Sequence, residues 1–257
     1  MKKLLFSFLL SIFFLSCGNN FVSPSSYTKE EIDKKYPYWN VGVAGFFIKE
    51  QDEYTEITII EKRFFLEGLA LMRLTINTDE FVQAYKENKD KFLADQTIAV
   101  GENGAIYGSI KDSPFDIDRL IEVIRATKYD IFYGKGSHKD PSVVGLLGDY
   151  SYAFYGSSKK PRIGNTIMVH NNYIIGWYGL AFFSALMYHE HLHNLGFTHN
   201  SNRSFYEMQS TMRDVANRIV DGDLKEKYKK SLDELTAYYI TEYKNLLMSS
   251  TVYTPKK

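Results

Sequence analysis

From His189 to His199 the chain reads His-Glu-His-Leu-His-Asn-Leu-Gly-Phe-Thr-His, and this stretch restricts the fold more than any other. Read with gaps it is H-E-x-x-H-x-x-G-x-x-H. His189 and His193 are four apart, about 400° of helical rotation, so both imidazoles leave one face a turn apart and can share one metal ion. Gly196 follows about one turn later, where a helix can end in the left-handed conformation that glycine reaches without a Cβ penalty. The chain can then reverse and return His199 as a third ligand. Three protein ligands leave a fourth position open, as catalytic Zn²⁺ sites do. Glu190 flanks the metal without being needed to bind it, which suits a general base. With only six His and 17 Gly in 257 residues, all five fixed positions coincide by chance on the order of 10⁻⁵.

The donor set is also what the rest of the composition allows. Cys17 is the only cysteine, which excludes an intramolecular disulfide and any thiolate zinc finger. Its place explains it. Met1-Lys2-Lys3 is a basic n-region and Leu4 to Leu15 an apolar h-region, too short for the roughly 20 residues of a membrane-spanning helix. Phe14-Leu15-Ser16-Cys17-Gly18 resembles a bacterial lipoprotein signal, which implies that Cys17 becomes the lipidated first residue. The expected organisation is a signal peptide over 1–16, a lipidated cysteine and polar tether over 17–35, and one domain over 36–250. The protein is then lipid-anchored outside the cytoplasm, in the cell membrane or an outer membrane. A lipidated Cys17 is not available as a cysteine lock on the metal.

Charge names no partner. Lys+Arg and Asp+Glu are both 31, so no basic excess points to nucleic acid and none is expected as a partner. A content of 44% hydrophobic and 24% charged residues fits an ordinary globular domain.

Strands are expected at Val41 to Lys49, Glu56 to Ile60, Ala70 to Ile76, Tyr129 to Tyr133, parts of Val143 to Tyr155, and Thr166 to His170, with a polar loop over Lys135 to Asp140. Asn77-Thr78-Asp79-Glu80 reads as a helix start capped by Thr78 or Asn77. Ile117, Leu120, Ile121 and Ile124 have the spacing that buries one helical face. Leu180 to Leu195 is the clearest helix, and Asp223 to Leu247 is a long helical pattern. The order implies an α+β domain: a mixed twisted sheet, an active-site helix, and a mostly helical C-terminal part.

At His189 to His199 the sequence resembles the metzincin clan of zinc metallopeptidases. The resemblance implies a metzincin-like fold with a peptide-binding cleft between a β-rich and a helical subdomain, zinc on His189, His193 and His199, and Glu190 as catalytic acid/base. It also implies a Met-containing turn under the zinc. Met208 is the candidate, with Ser204-Phe205-Tyr206 before it to make the turn, although Met208, Met212, Val215 and Ile219 also keep a helical period. Tyr206 precedes the methionine rather than following it and is not counted in the site.

The expected function is a zinc-dependent metalloendopeptidase acting on a protein or peptide. A peptidoglycan-peptide amidase is the nearest enzymatic alternative, and a non-catalytic, zinc-containing adhesion or interaction lipoprotein the other. His191 lies about 200° around the helix from His189, pointing away from the metal, and is expected to pack or to meet solvent. His170, beside Asn171-Asn172, reads as a surface histidine flanking a turn.

Overall fold

Two reciprocal caps decide where the first helices begin. Thr28 accepts from the Glu31 amide while the Glu31 carboxylate accepts from the Thr28 amide, opening α1 (Lys29–Lys35); Thr58 and Glu61 do the same for α2 (Ile59–Ile76). The computed structural model describes residues 25–48, 56–93, 115–136, 145–147, 166–170, 174–175, 178–195, 197 and 204–249. Within them follow β1 (Asn40–Ile48), α3 (Asp79–Glu87), α4 (Ile117–Ala126), β2 (Lys128–Gly136), β3 (Gly145–Leu147), β4 (Thr166–His170), α5 (Gly179–Asn194), α6 (Ser204–Val220), α7 (Lys225–Glu242) and α8 (Lys244–Met248). The class is α+β.

The sheet has the order β1-β2-β4-β3. β1 with β2 and β2 with β4 are parallel, and β3 closes the β4 edge antiparallel. The parallel β1–β2 pair requires a crossover, which contains α2, α3 and α4. Thr78 caps α3 by accepting from the Phe81 amide, and Asp116 caps α4 by accepting from the Arg119 amide.

Two expected strands are instead parts of one helix. Glu56 to Thr58 lead into α2, Ile59 and Ile60 are its exposed first residues, and Ala70 to Ile76 form its buried end. From Gly68 to Ile76 every residue of α2 is buried, so that stretch shows no polar face from which a helical period could be read. The packed domain also starts earlier than residue 36. Ile32 of α1 is fully buried, and buried Arg73 of α2 donates to the Tyr36 carbonyl, Asp33 Oδ1 (2.7 Å) and Asn40 Oδ1. Lys135, expected in a loop, is a buried residue of β2 with its ammonium 2.9 Å from both oxygens of Glu61.

Helix α2 is the hub, touching β1, α5, α6 and α7. Its Phe65 ring meets Phe46 of β1, Tyr133 of β2 and Phe183 of α5. Burying one such ring contributes roughly 1.5–3 kcal/mol. Gly68 lets α5 come close: a Cβ there would lie 2.5 Å from Met187 Cε, and Ser184 Oγ donates to the Gly68 carbonyl at 3.1 Å. Among the described residues no helix is long and apolar enough to cross a membrane. Cys17 and the apolar segment before it lie outside them.

Candidate metal centre

Gly179 (φ 73°) is the first residue of α5, a helix that is buried almost all round from Ala181 to Leu192. Its C-terminal end closes through the Phe197 amide, which donates to the Leu192 carbonyl at 3.1 Å. A bond of this span is the long bond of a Schellman turn, and Phe197 and Leu192 are both buried in the core. Phe197 is held there by an edge contact with Phe115, ring centroids 5.6 Å apart. Gly196, where the chain is expected to reverse, lies outside the described residues.

This turn has a chemical consequence. It sets the Phe197 carbonyl 2.7 Å from His193 Nδ1, and because a carbonyl only accepts, Nδ1 carries the proton and Nε2 the lone pair. His189 is arranged alike. Its Nδ1 is 2.8 Å from Gln209 Oε1 of α6, which again leaves the lone pair on Nε2. The two rings stand 5.2 Å apart at 82°. Metal-binding histidines almost always present one nitrogen to the ion while the other N–H is held by an acceptor oxygen, so the two residues fit a zinc ion. His189 and Glu190 are buried, at 6% and 3% exposure, and His193 is half-buried.

Helix α6 is fixed against this centre from both sides. Ser204 Oγ accepts from the Leu93 amide and donates to the Leu93 carbonyl, anchoring its first turn. Tyr85 of α3 stands 2.5 Å from the Tyr188 hydroxyl of α5 and donates to the Met208 carbonyl at 3.3 Å. The turn expected at Ser204-Phe205-Tyr206 is not formed, since these residues begin α6. Met208 is a fully buried helix residue on the stripe of Met212, Val215, Ala216 and Ile219. Continuous apolar spacing favours extending the helix over breaking it. Tyr206, not counted in the site because of its order in the chain, has its ring 5.1 Å from that of His189.

Of the two expected surroundings, packing or solvent, His191 has packing: it is fully buried against the sheet. Its Nδ1 meets the Tyr129 hydroxyl and its Nε2 the Tyr133 hydroxyl at 2.8 Å, both from one face of β2, and the Trp39 ring stands edge-on at 5.2 Å. Burial pushes its pKa down to about 3.

His199 and Cys17 lie outside the described residues, and the His170 side chain likewise. Among the described residues no three His, Cys, Asp or Glu side chains gather into a metal-holding group. Sequence reasoning misses Gln209, because a partner brought in from another helix leaves no local periodicity or motif behind. The chain matches no family of known proteins, and no curated protein or solved structure matches it. The residues of the site alone bear on function.

Proposed function

We propose that the protein is a zinc-dependent metalloendopeptidase of metzincin-like organisation, anchored outside the cytoplasm through a lipid on Cys17. One observation carries the reading. His189 and His193, one turn apart on α5, each have Nδ1 against an acceptor oxygen while Glu190 sits between them in the chain. His189 and His193, with His199, would hold the ion.

Zinc, when bound, supplies a Lewis acid that polarises the scissile carbonyl and lowers the pKa of the attacking water toward about 7. Glu190 takes the proton of that water and returns it to the leaving amine, so one carboxylate serves both halves of the reaction. A closed structural site has no use for such a base, which argues against the adhesion lipoprotein.

The test pairs wild type with Glu190→Ala. Zinc content stays the same, while hydrolysis of a diverse peptide library falls by about 10²–10⁴. A zinc-loaded wild type that cleaves nothing in the library, or an equally active Glu190→Ala, overturns the peptidase. The same pair on peptidoglycan fragments identifies the wall amidase if only those are cut.

A further inference from the structure

We propose that Gln209 is the positioning residue that makes His189 a metal donor, and that its neutral amide sets the strength of that donor. The inference rests on the metal reading of His189 and His193 and goes beyond it by assigning a residue of α6 to the centre.

A neutral imidazole has one N–H and one lone pair, and nothing intrinsic to it strongly selects which nitrogen carries the proton. The partner selects. The oxygen of the Gln209 amide stands 2.8 Å from Nδ1, so it can only accept there, and His189 is held with its proton on Nδ1. Nε2 is thereby kept as the lone pair before any ion arrives. His193 gets the same selection from a main-chain carbonyl at Phe197, which no substitution removes. At His189 the selection comes from a side chain and can be altered.

The platform under Gln209 is rigid enough to act this way. Buried Met208 precedes it with its carbonyl bonded to Tyr85, and buried Thr211 and Met212 follow it. Three residues earlier, Tyr206 lies on the same side of α6, its ring tilted 55° against that of His189. One side chain thus holds the N–H while the other limits rotation of the ring.

The acceptor is also uncharged. A carboxylate in the same place would draw the Nδ1 proton more strongly and raise the basicity of Nε2, whereas an amide fixes the tautomer with less of that effect. The two effects separate by mutation. Gln209→Ala removes both, and Gln209→Glu keeps the tautomer while increasing the basicity.

The experiment measures Zn²⁺ affinity of the full-length chain by chelator competition, together with imidazole ¹⁵N shifts of the metal-free protein, His189 being assigned with His189→Gln. In wild type, His189 shows a protonated Nδ1. Gln209→Ala mixes its tautomers and weakens zinc by about 10–100-fold. Gln209→Glu restores the single tautomer and binds at least as tightly as wild type. Should Gln209→Ala fail to fold, Gln209→Asn, one methylene too short to reach, shows the same loss. Zinc affinity within twofold of wild type in the Ala or Asn variant, with unchanged His189 shifts, overturns the proposal alone. A wild-type chain that takes up no zinc overturns the metal reading and this one with it.

Discussion

On one helix, His191 has a tyrosine hydroxyl against each ring nitrogen, whereas His189 and His193 each have an acceptor oxygen against Nδ1. The residue type is the same and the spacing is two. What differs is the surface each side of α5 meets. Toward β2 it meets Tyr129 and Tyr133 four residues apart on one strand face, and toward α6 and the Schellman turn it meets Gln209 and the Phe197 carbonyl. A hydroxyl can donate or accept, so a tyrosine on each nitrogen satisfies a neutral histidine completely and ties helix to sheet. An acceptor oxygen against Nδ1 fixes the tautomer and leaves the lone pair on Nε2. A histidine's role here is decided by its partners.

The sharpest way to break the comparison is to exchange the losses. His193→Ala should abolish stoichiometric zinc uptake and leave the unfolding midpoint of the metal-free chain little changed, since the residue is half-buried. His191→Ala should do the reverse. It opens a cavity in the core and strips a partner from two tyrosine hydroxyls, a loss of about 3–4 kcal/mol, while zinc still binds one to one. Urea unfolding and metal analysis on both variants decide it. If His191→Ala loses zinc as completely as His193→Ala at full folding, the two faces are not separate.

The His189–His193 side of this contrast is largely legible in the amino-acid sequence, because His189, Glu190 and His193 are set by the local geometry of one helix. Thr78 as a cap and the apolar face of α4 are legible for the same reason. The sheet-facing side is not. That Tyr129 and Tyr133 meet His191 depends on β2 packing against α5, a contact between segments about sixty residues apart. Helix α2 reads as two strands because Gly68 to Ile76 are buried throughout, although the Thr58–Glu61 pair that starts it is visible in the sequence. The start of the domain is hard to place because α1 offers a single buried apolar residue, Ile32. Gln209 and Tyr206 reach His189 only once α6 is docked.

A smaller effect sharpens the same contrast through pH. The folded pKa of His191, about 3, lies below the value of about 6.5 for an unfolded chain. The native state therefore binds fewer protons than the unfolded state as pH falls through that interval, and stability is lost toward acid. It is fully present above about pH 6.5. Its described partners are the Tyr129 and Tyr133 hydroxyls of β2 and the Trp39 ring, none of them a carboxylate that could hold an imidazolium. Metal-free wild type should lose about 1.6 kcal/mol more than His191→Gln between pH 6.5 and pH 5. Parallel pH dependences would show that His191 is not a buried neutral histidine.

The smallest effect distinguishes the two tyrosines. Asn194 Nδ2 donates to the Tyr129 hydroxyl at 3.1 Å, which favours that hydroxyl as the donor toward His191 Nδ1. Nε2–H of His191 then donates to Tyr133. The expected outcome is that His191 carries the opposite tautomer from His189 and His193. Tyr133→Phe removes one acceptor and should cost about 1 kcal/mol, whereas Tyr129→Phe takes a partner from both His191 and Asn194 and should cost about 1.5 kcal/mol. Denaturant midpoints at neutral pH measure the difference, and ¹⁵N shifts of His191 measure its cause, with Nε2 protonated in wild type. A protonated Nδ1 on His191, or a larger loss in Tyr133→Phe, would reverse the direction of the chain of hydrogen bonds. The two sides of α5 would then differ in burial and not in tautomer.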